Sequence, residues 1–223
     1  ALAIAALQAW ARDGESVFIK TRFGDVDQIH RVDGPGGMRH QVTYESEPVG
    51  QVLRQPGGSM LIFTRDAGGN EFSQIFSLDP SGGEPRLLTD GESRNGFVVW
   101  DRRGKRIAYQ STRRNGRSND VWVMDPTRPE GARMVFESPD GSWWGPAEFS
   151  ASGKRMLVTS YISITNSKAV LVDLDTGESS VLAGGGAQPS VNLPVGFDDA
   201  GNGFWFITDQ AGEFNTLAWQ PLE

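Results

Sequence analysis

The stretch that decides the fold runs from Asn95 to Ser138. It opens with the apolar run Gly96-Phe97-Val98-Val99-Trp100, turns at Asp101-Arg102-Arg103-Gly104 and continues as Lys105-Arg106-Ile107-Ala108-Tyr109-Gln110-Ser111. The loop Thr112 to Asn119 leads to Asp120-Val121-Trp122-Val123-Met124-Asp125, where polar and apolar residues alternate. After the Pro126 to Gly131 turn, Ala132-Arg133-Met134-Val135-Phe136 closes the unit. β-Branched and aromatic residues fill the four runs, and Gly, Pro, Asn and Asp fill the gaps, which is the punctuation of an antiparallel four-stranded meander.

The unit recurs along the chain. First-turn glycines stand at Gly14, Gly57, Gly104, Gly153 and Gly201, between 43 and 49 residues apart, and four residues before each lies Trp10, Leu53, Trp100, Phe149 or Phe197. Asp33, Asp79, Asp125 and Asp173 close the third run of each unit at intervals of 46 to 48 residues. Two independent markers at one period predict an all-β chain, a β-propeller of four-stranded antiparallel blades. Five repeats are present, at about 6–49, 50–94, 95–143, 144–190 and 191–223. The last lacks its outer strand, so the chain reads as one body and part of a larger propeller, with a closed five-bladed ring as the alternative.

The expected strands of the first repeat are Leu7 to Trp10, Ser16 to Arg22, Gln28 to Val32 and Gln41 to Tyr44, with Ala1 to Leu7 as the approach to the innermost strand. The second repeat is expected to end in an outer strand over Arg86 to Thr89. In the fourth, Ala147 to Phe149, Arg155 to Tyr161, Ala169 to Val172 and Ser180 to Leu182 are expected, with Ile162 to Lys168 as a long loop. Trp10, Trp100, Phe149 and Phe197 are expected to be buried anchors between blade faces, each contributing about 1.5 to 3 kcal/mol.

Composition narrows the chemistry. The 223 residues carry a net charge of −7, with 21 Lys and Arg against 28 Asp and Glu, which is no footprint for nucleic acid. Cysteine is absent, so there is no disulfide frame, thiol nucleophile or Cys-ligated zinc. No window approaches the roughly 18 apolar residues of a membrane span, and the chain reads as soluble.

In a meander, the loop between strands two and three shares an end with the link to the next blade, and the tight turns lie at the other end. The longer charged loops therefore form one face, the expected site of recognition. Arg113, Arg114 and Arg117 offer guanidinium forks to a carboxylate or a partner domain, although a solvated loop that keeps the edge soluble is the simpler reading. Glu71 and Glu213 each precede a Phe in corresponding loops and read as a repeated hydrogen bond to loop backbone before an amine-binding acid.

Asp25 with Asp27, and Asp173 with Asp175, have alternate spacing but lack the Gly and Glu of a calcium loop. His30 and His40 have no ligand spacing. The inner strands offer Gln8, Gln51 and Glu148, too few acids to ligate a cation. No G-x-S-x-G occurs; Gly91-Glu92-Ser93-Arg94-Asn95 comes nearest. The residues therefore give no catalytic, cofactor or metal site.

Four phrases carry a resemblance. Thr21-Arg22-Phe23-Gly24-Asp25 with Gln28-Ile29-His30-Arg31-Val32 is the first, and Arg65-Asp66-Ala67-Gly68-Gly69-Asn70-Glu71-Phe72 with Gln74-Ile75-Phe76 the second. Ser111-Thr112-Arg113-Arg114-Asn115-Gly116-Arg117 and Leu171-Val172-Asp173-Leu174-Asp175-Thr176-Gly177-Glu178 follow. Together they resemble the N-terminal propeller of the prolyl oligopeptidase family, nearest its acylaminoacyl-peptidase and dipeptidyl-aminopeptidase-like members. The resemblance implies a two-domain serine peptidase in which a C-terminal α/β-hydrolase domain of the same polypeptide carries the catalytic residues and the propeller gates and size-filters peptide substrates. No catalytic residue transfers to this chain, and no paired acids for a substrate amine match. Periplasmic translocation-protein propellers share the Asp-then-Gly turns, so a stand-alone interaction module is the alternative.

Overall fold

A computed structural model describes residues 5–222, in which every regular element is a β-strand. Ala1 to Ile4, expected on the approach to the first strand, lie outside the described residues. No helix among the described residues is long and apolar enough to cross a membrane.

The chain divides into two compact units, Ala1–Gly96 and Phe97–Glu223. The first holds two four-stranded antiparallel sheets in simple sequential order. One is β1 (Ala5–Trp10), β2 (Val17–Thr21), β3 (Gln28–Val32) and β4 (Arg39–Gln41); the other is β5 (Val52–Arg54), β6 (Leu61–Arg65), β7 (Gln74–Leu78) and β8 (Arg86–Leu87). Phe18 and Ile29 of one sheet meet Leu61 and Phe63 of the other in a closed apolar cluster.

The second unit takes up the sheet β9 (Asn95–Trp100, whose first two residues close the first unit), β10 (Ile107–Ser111), β11 (Asp120–Asp125) and β12 (Arg128–Phe136). Next comes β13 (Trp143–Phe149), β14 (Arg155–Ser163), β15 (Asn166–Asp173) and β16 (Ser179–Ala183). The last described sheet has three strands, β17 (Asn192–Phe197), β18 (Gly203–Thr208) and β19 (Thr216–Pro221). Val121, Phe136, Phe149 and Val158 pack between the first two of these sheets, and Leu157, Ala169, Phe197 and Phe204 between the last two. Each sheet buries its apolar face against a sequential neighbour, as a blade must.

Several expectations need correction. The outer strands of the first unit end early, at Gln41 rather than Tyr44 and at Leu87 rather than Thr89. Thr43 Oγ1 accepts from Ile29 N at 2.8 Å and Thr89 Oγ1 from Ile75 N at 3.1 Å, so a side chain replaces the ladder carbonyl. β12 begins at Arg128, because Arg128 already pairs with Asp125 across a tighter turn. The loop expected over Ile162 to Lys168 is a hairpin instead: β14 and β15 run on until Ser163 faces Asn166, and Thr165 N donates to Ser163 Oγ at 3.3 Å.

The anchors divide. Phe149 and Phe197 are 0% and 6% exposed, whereas Trp100 is half-buried and Trp10 is 57% exposed. This inner-strand position faces the preceding sheet, as the clusters around Phe149 and Phe197 show, and β1 has no preceding sheet among the described residues.

Candidate functional site

Long loops and links meet at one end of the sheets, as a meander requires. In the first unit Val49 N, in the link after β4, donates to Asp27 O at 2.9 Å, and Gly68 N donates to Glu47 Oε1 at 3.1 Å. In the second, Val191 N, in the link after β16, donates to Asp209 Oδ1 at 2.8 Å.

A polar residue at the start of the third strand in the first four sheets fastens this end, and the reading of the sequence missed it. Gln28, Gln74, Asp120 and Ser167 recur at intervals of 46 or 47 residues, each less than 9% exposed. Gln28 binds both backbone groups of Glu45, donating from Nε2 at 2.7 Å and accepting at Oε1 at 3.1 Å. Gln74 Oε1 accepts from Thr89 Oγ1 at 2.7 Å and from Gly91 N at 3.0 Å, while its Nε2 donates to Ser93 O at 2.7 Å. Ser167 Oγ accepts from Asn192 N at 2.7 Å.

Asp120 does the same work with charge. Its side chain is fully buried, and Oδ1 accepts from Ser138 N at 2.8 Å. Arg114 grips the same carboxylate with Nε at 2.8 Å and Nη2 at 3.1 Å, and its Nη1 lies 3.0 Å from Glu137. The hydrogen bond to Asp120, above all, raises the Arg114 pKa further. Arg114, expected on a recognition face, is therefore a strut of the loop.

The other expected residues differ. Arg113 lies on the ring of Trp122, 5.3 Å from its centroid. Arg117 is exposed, and its guanidinium has no partner among the described residues; its amide donates to Asn115 Oδ1 at 3.0 Å in a side-chain-organised turn. These arginines share the β10–β11 loop with Arg114. Glu71 sits at φ +60° with its carboxylate 84% exposed and 4.0 Å from Arg94. It does not bind the loop backbone as expected. Asp66 Oδ2 does so, accepting from Glu71 N at 2.9 Å, and Asn70 Oδ1 accepts from Phe72 N at 2.9 Å. Glu213 is exposed in the β18–β19 loop.

At the same end of the second unit lies an aromatic ladder. Phe97, 54% exposed, meets Trp143 edge to face at 4.6 Å, and Trp143 meets Tyr161 at 6.0 Å. A Cβ at Gly145 would come within 3.0 Å of the Trp143 ring, so glycine lets the indole lie across its own strand. Phe97 has φ +50°, a conformation that costs a bulky residue about 1 to 3 kcal/mol. Phe97 reads as a core residue in the sequence, since nothing in its apolar run announces a left-handed backbone.

Several of the remaining acids and one histidine are engaged locally. Asp173 Oδ1 accepts from Asp175 N and Thr176 N, both at 2.9 Å, which holds its pKa below the usual carboxylate range. Asp79 and Asp125 cap the corresponding turns through Ser81 and Thr127. Glu148 Oε2 accepts from Phe197 N at 2.6 Å and its Oε1 lies 3.2 Å from Arg102, so this inner-strand acid joins neighbouring sheets. His40 Nε2 lies 3.3 Å from Asp33. Among the described residues no three of His, Cys, Asp and Glu are grouped to hold a metal ion.

No protein-family profile matches the sequence, and no curated protein does. Solved structures are similar. TolB from Acinetobacter baumannii is 19% identical over 99% of this chain and 58% of its own, with a TM-score of 0.60. The fold is a β-propeller. A prolyl endopeptidase is 11% identical over 97% of this chain and 34% of its own, with a TM-score of 0.72. An oligogalacturonate lyase in complex with manganese is 14% identical over 99% and 65%, with a TM-score of 0.76. The chain thus spans less than two thirds of each of these proteins. Relatives this distant share the propeller and differ in activity, so function has to be argued from the residues.

Proposed function

We propose that this chain works by binding rather than by bond-breaking, as the propeller of a prolyl-oligopeptidase-like serine peptidase whose chemistry lies in an α/β-hydrolase domain of the same polypeptide. In this reading the loop end gates and size-filters peptides on their way to a closed chamber, and selectivity comes from steric exclusion. The observation that carries a binding role is the Phe97–Trp143–Tyr161 ladder, exposed at Phe97 and Tyr161, with Phe97 held at φ +50°. Strained, exposed aromatic residues are characteristic of surfaces shaped for a ligand. The motif phrases around Gln28, Gln74 and Arg113 support the peptidase context. A free-standing interaction module is the second reading, favoured by the similarity to TolB at 19% identity.

The test labels both the full product of the gene and the 223-residue chain with a serine-directed fluorophosphonate, and assays acyl-aminoacyl and dipeptidyl chromogenic substrates. Labelling and turnover are expected in the full product and absent from the chain alone. Stoichiometric labelling of the chain itself would overturn the non-catalytic assignment. A full product without a labelled serine would hand the lead to the interaction module.

A further inference from the structure

A cleft in the first unit has chemistry that the peptidase reading does not use. Its volume is about 290 Å³, and Phe23, Asp25, His30, Gln41, Tyr44 and Ser46 are among its lining residues. His30 is 3% exposed. Its Nδ1 lies 3.3 Å from Gln28 O, and because a carbonyl only accepts, the proton sits on Nδ1 and Nε2 carries the lone pair. Nε2 has no hydrogen-bond partner among the described residues. Burial lowers the His30 pKa, which keeps the ring neutral at physiological pH.

The side-chain amides around it are already engaged. Gln28 Nε2 donates to Glu45 O, Gln41 Nε2 to Thr43 O at 2.8 Å, and the Tyr44 hydroxyl to Gln41 O at 3.4 Å. Glu45 is paired with Arg65. What remains open to a ligand is the His30 acceptor, the Asp25 carboxylate, the Ser46 hydroxyl and the exposed ring of Tyr44. The Phe23 ring is already engaged, with the Arg39 guanidinium 5.0 Å from its centroid and the His30 ring edge-on at 5.4 Å. Acceptors, a carboxylate and an open π face favour a positively charged donor, against the repulsion of Arg39.

We propose that this cleft binds a primary alkylammonium group, whose N–H bonds reach His30 Nε2 and Asp25 while its methylenes lie against Tyr44. The group can belong to a free amine or to a lysine side chain of a polypeptide.

The test titrates the protein with n-butylammonium chloride and follows the His30 ring nitrogens by long-range 1H–15N correlation. A saturable shift at Nε2 is expected. Tetramethylammonium has the charge but no N–H, and should bind at least about tenfold more weakly. Asp25→Asn, an exposed change that leaves the fold in place, should weaken n-butylammonium about two- to fivefold. A matching shift with acetyl-Gly-Lys-Gly-amide marks a polypeptide ligand, and a shift with the free amine alone marks a small metabolite. No saturable shift at Nε2 up to 100 mM amine, or equal binding of tetramethylammonium, would overturn the site.

Discussion

Gln74 in the first unit and Asp120 in the second stand 46 residues apart, each opening a third strand and each holding the link that follows. Gln74 does so with a neutral amide that both donates and accepts, so one side chain satisfies the link unaided. A carboxylate only accepts. With Asp at the same place, the surplus charge has to be matched, and Arg114 is drawn across its loop to match it. One structural problem thus has an amide solution and an ionic one. The ionic one costs the loop an arginine that would otherwise face solvent.

The largest consequence is expected at Asp120. Replacing it with Ala leaves Ser138 N without its acceptor and Arg114 without a buried partner, and should destabilise the protein by about 3 kcal/mol. Of the seven tryptophans all but Trp10 lie beyond residue 96, so urea unfolding followed by tryptophan emission reads the second unit selectively. A wild-type midpoint for Asp120→Ala would show that the ionic arrangement carries no load.

Gln74→Ala tests the amide side of the comparison. It removes the acceptor for Thr89 Oγ1 and Gly91 N and the donor to Ser93 O, groups next to the surface that water can partly reach. The expected loss is about 2 kcal/mol. It should be seen by far-ultraviolet circular dichroism and much less by tryptophan emission. Equal shifts in both signals would mean that the two units unfold as one, and the comparison would then describe chemistry without separate stabilities.

These residues also show where the sequence was legible. The period of Gly14, Gly57, Gly104, Gly153 and Gly201, with alternating apolar runs between, reports backbone needs that each repeat shares, and it predicted the sheets and their order. The position of Asp79, Asp125 and Asp173 at the end of the third strand was legible for the same reason. Arg114 was not, because its role depends on Asp120 being fully buried six residues later, and a charge in a loop looks the same whether it is free or paired. Outer strands ended early because a Thr hydroxyl can imitate a backbone carbonyl, and Ile162 to Lys168 became a hairpin without the Asn-Gly pair that usually marks one. Phe97 and Tyr161 were legible only as strand residues, and Trp143 fell outside the expected strand, which began at Ala147. Their exposure depends on a positive φ and on which sheet face has a neighbour.

The smallest expected effect asks how much of the second unit's fastening depends on charge at all. In the link after β12, Asp140 Oδ1 accepts from Ser142 Oγ at 2.6 Å, Ser142 N at 2.9 Å and Trp144 Nε1 at 3.1 Å, and these bonds lower its pKa to about 2. The unfolded chain, with an ordinary carboxylate, takes up this proton at higher pH than the folded one, so stability is present above about pH 4 and lost as the pH falls toward 2. Because Asp140 is exposed, solvent screening reduces the contribution to about 1 kcal/mol. Asp140→Asn keeps an acceptor for Trp144 and Ser142 but cannot titrate. Its urea midpoint should therefore lie below wild type at pH 6 and converge with it near pH 2. A gap that persists at pH 2 would assign the fastening to the shape of the side chain, and the ionic and amide solutions would then differ less than their hydrogen bonds suggest.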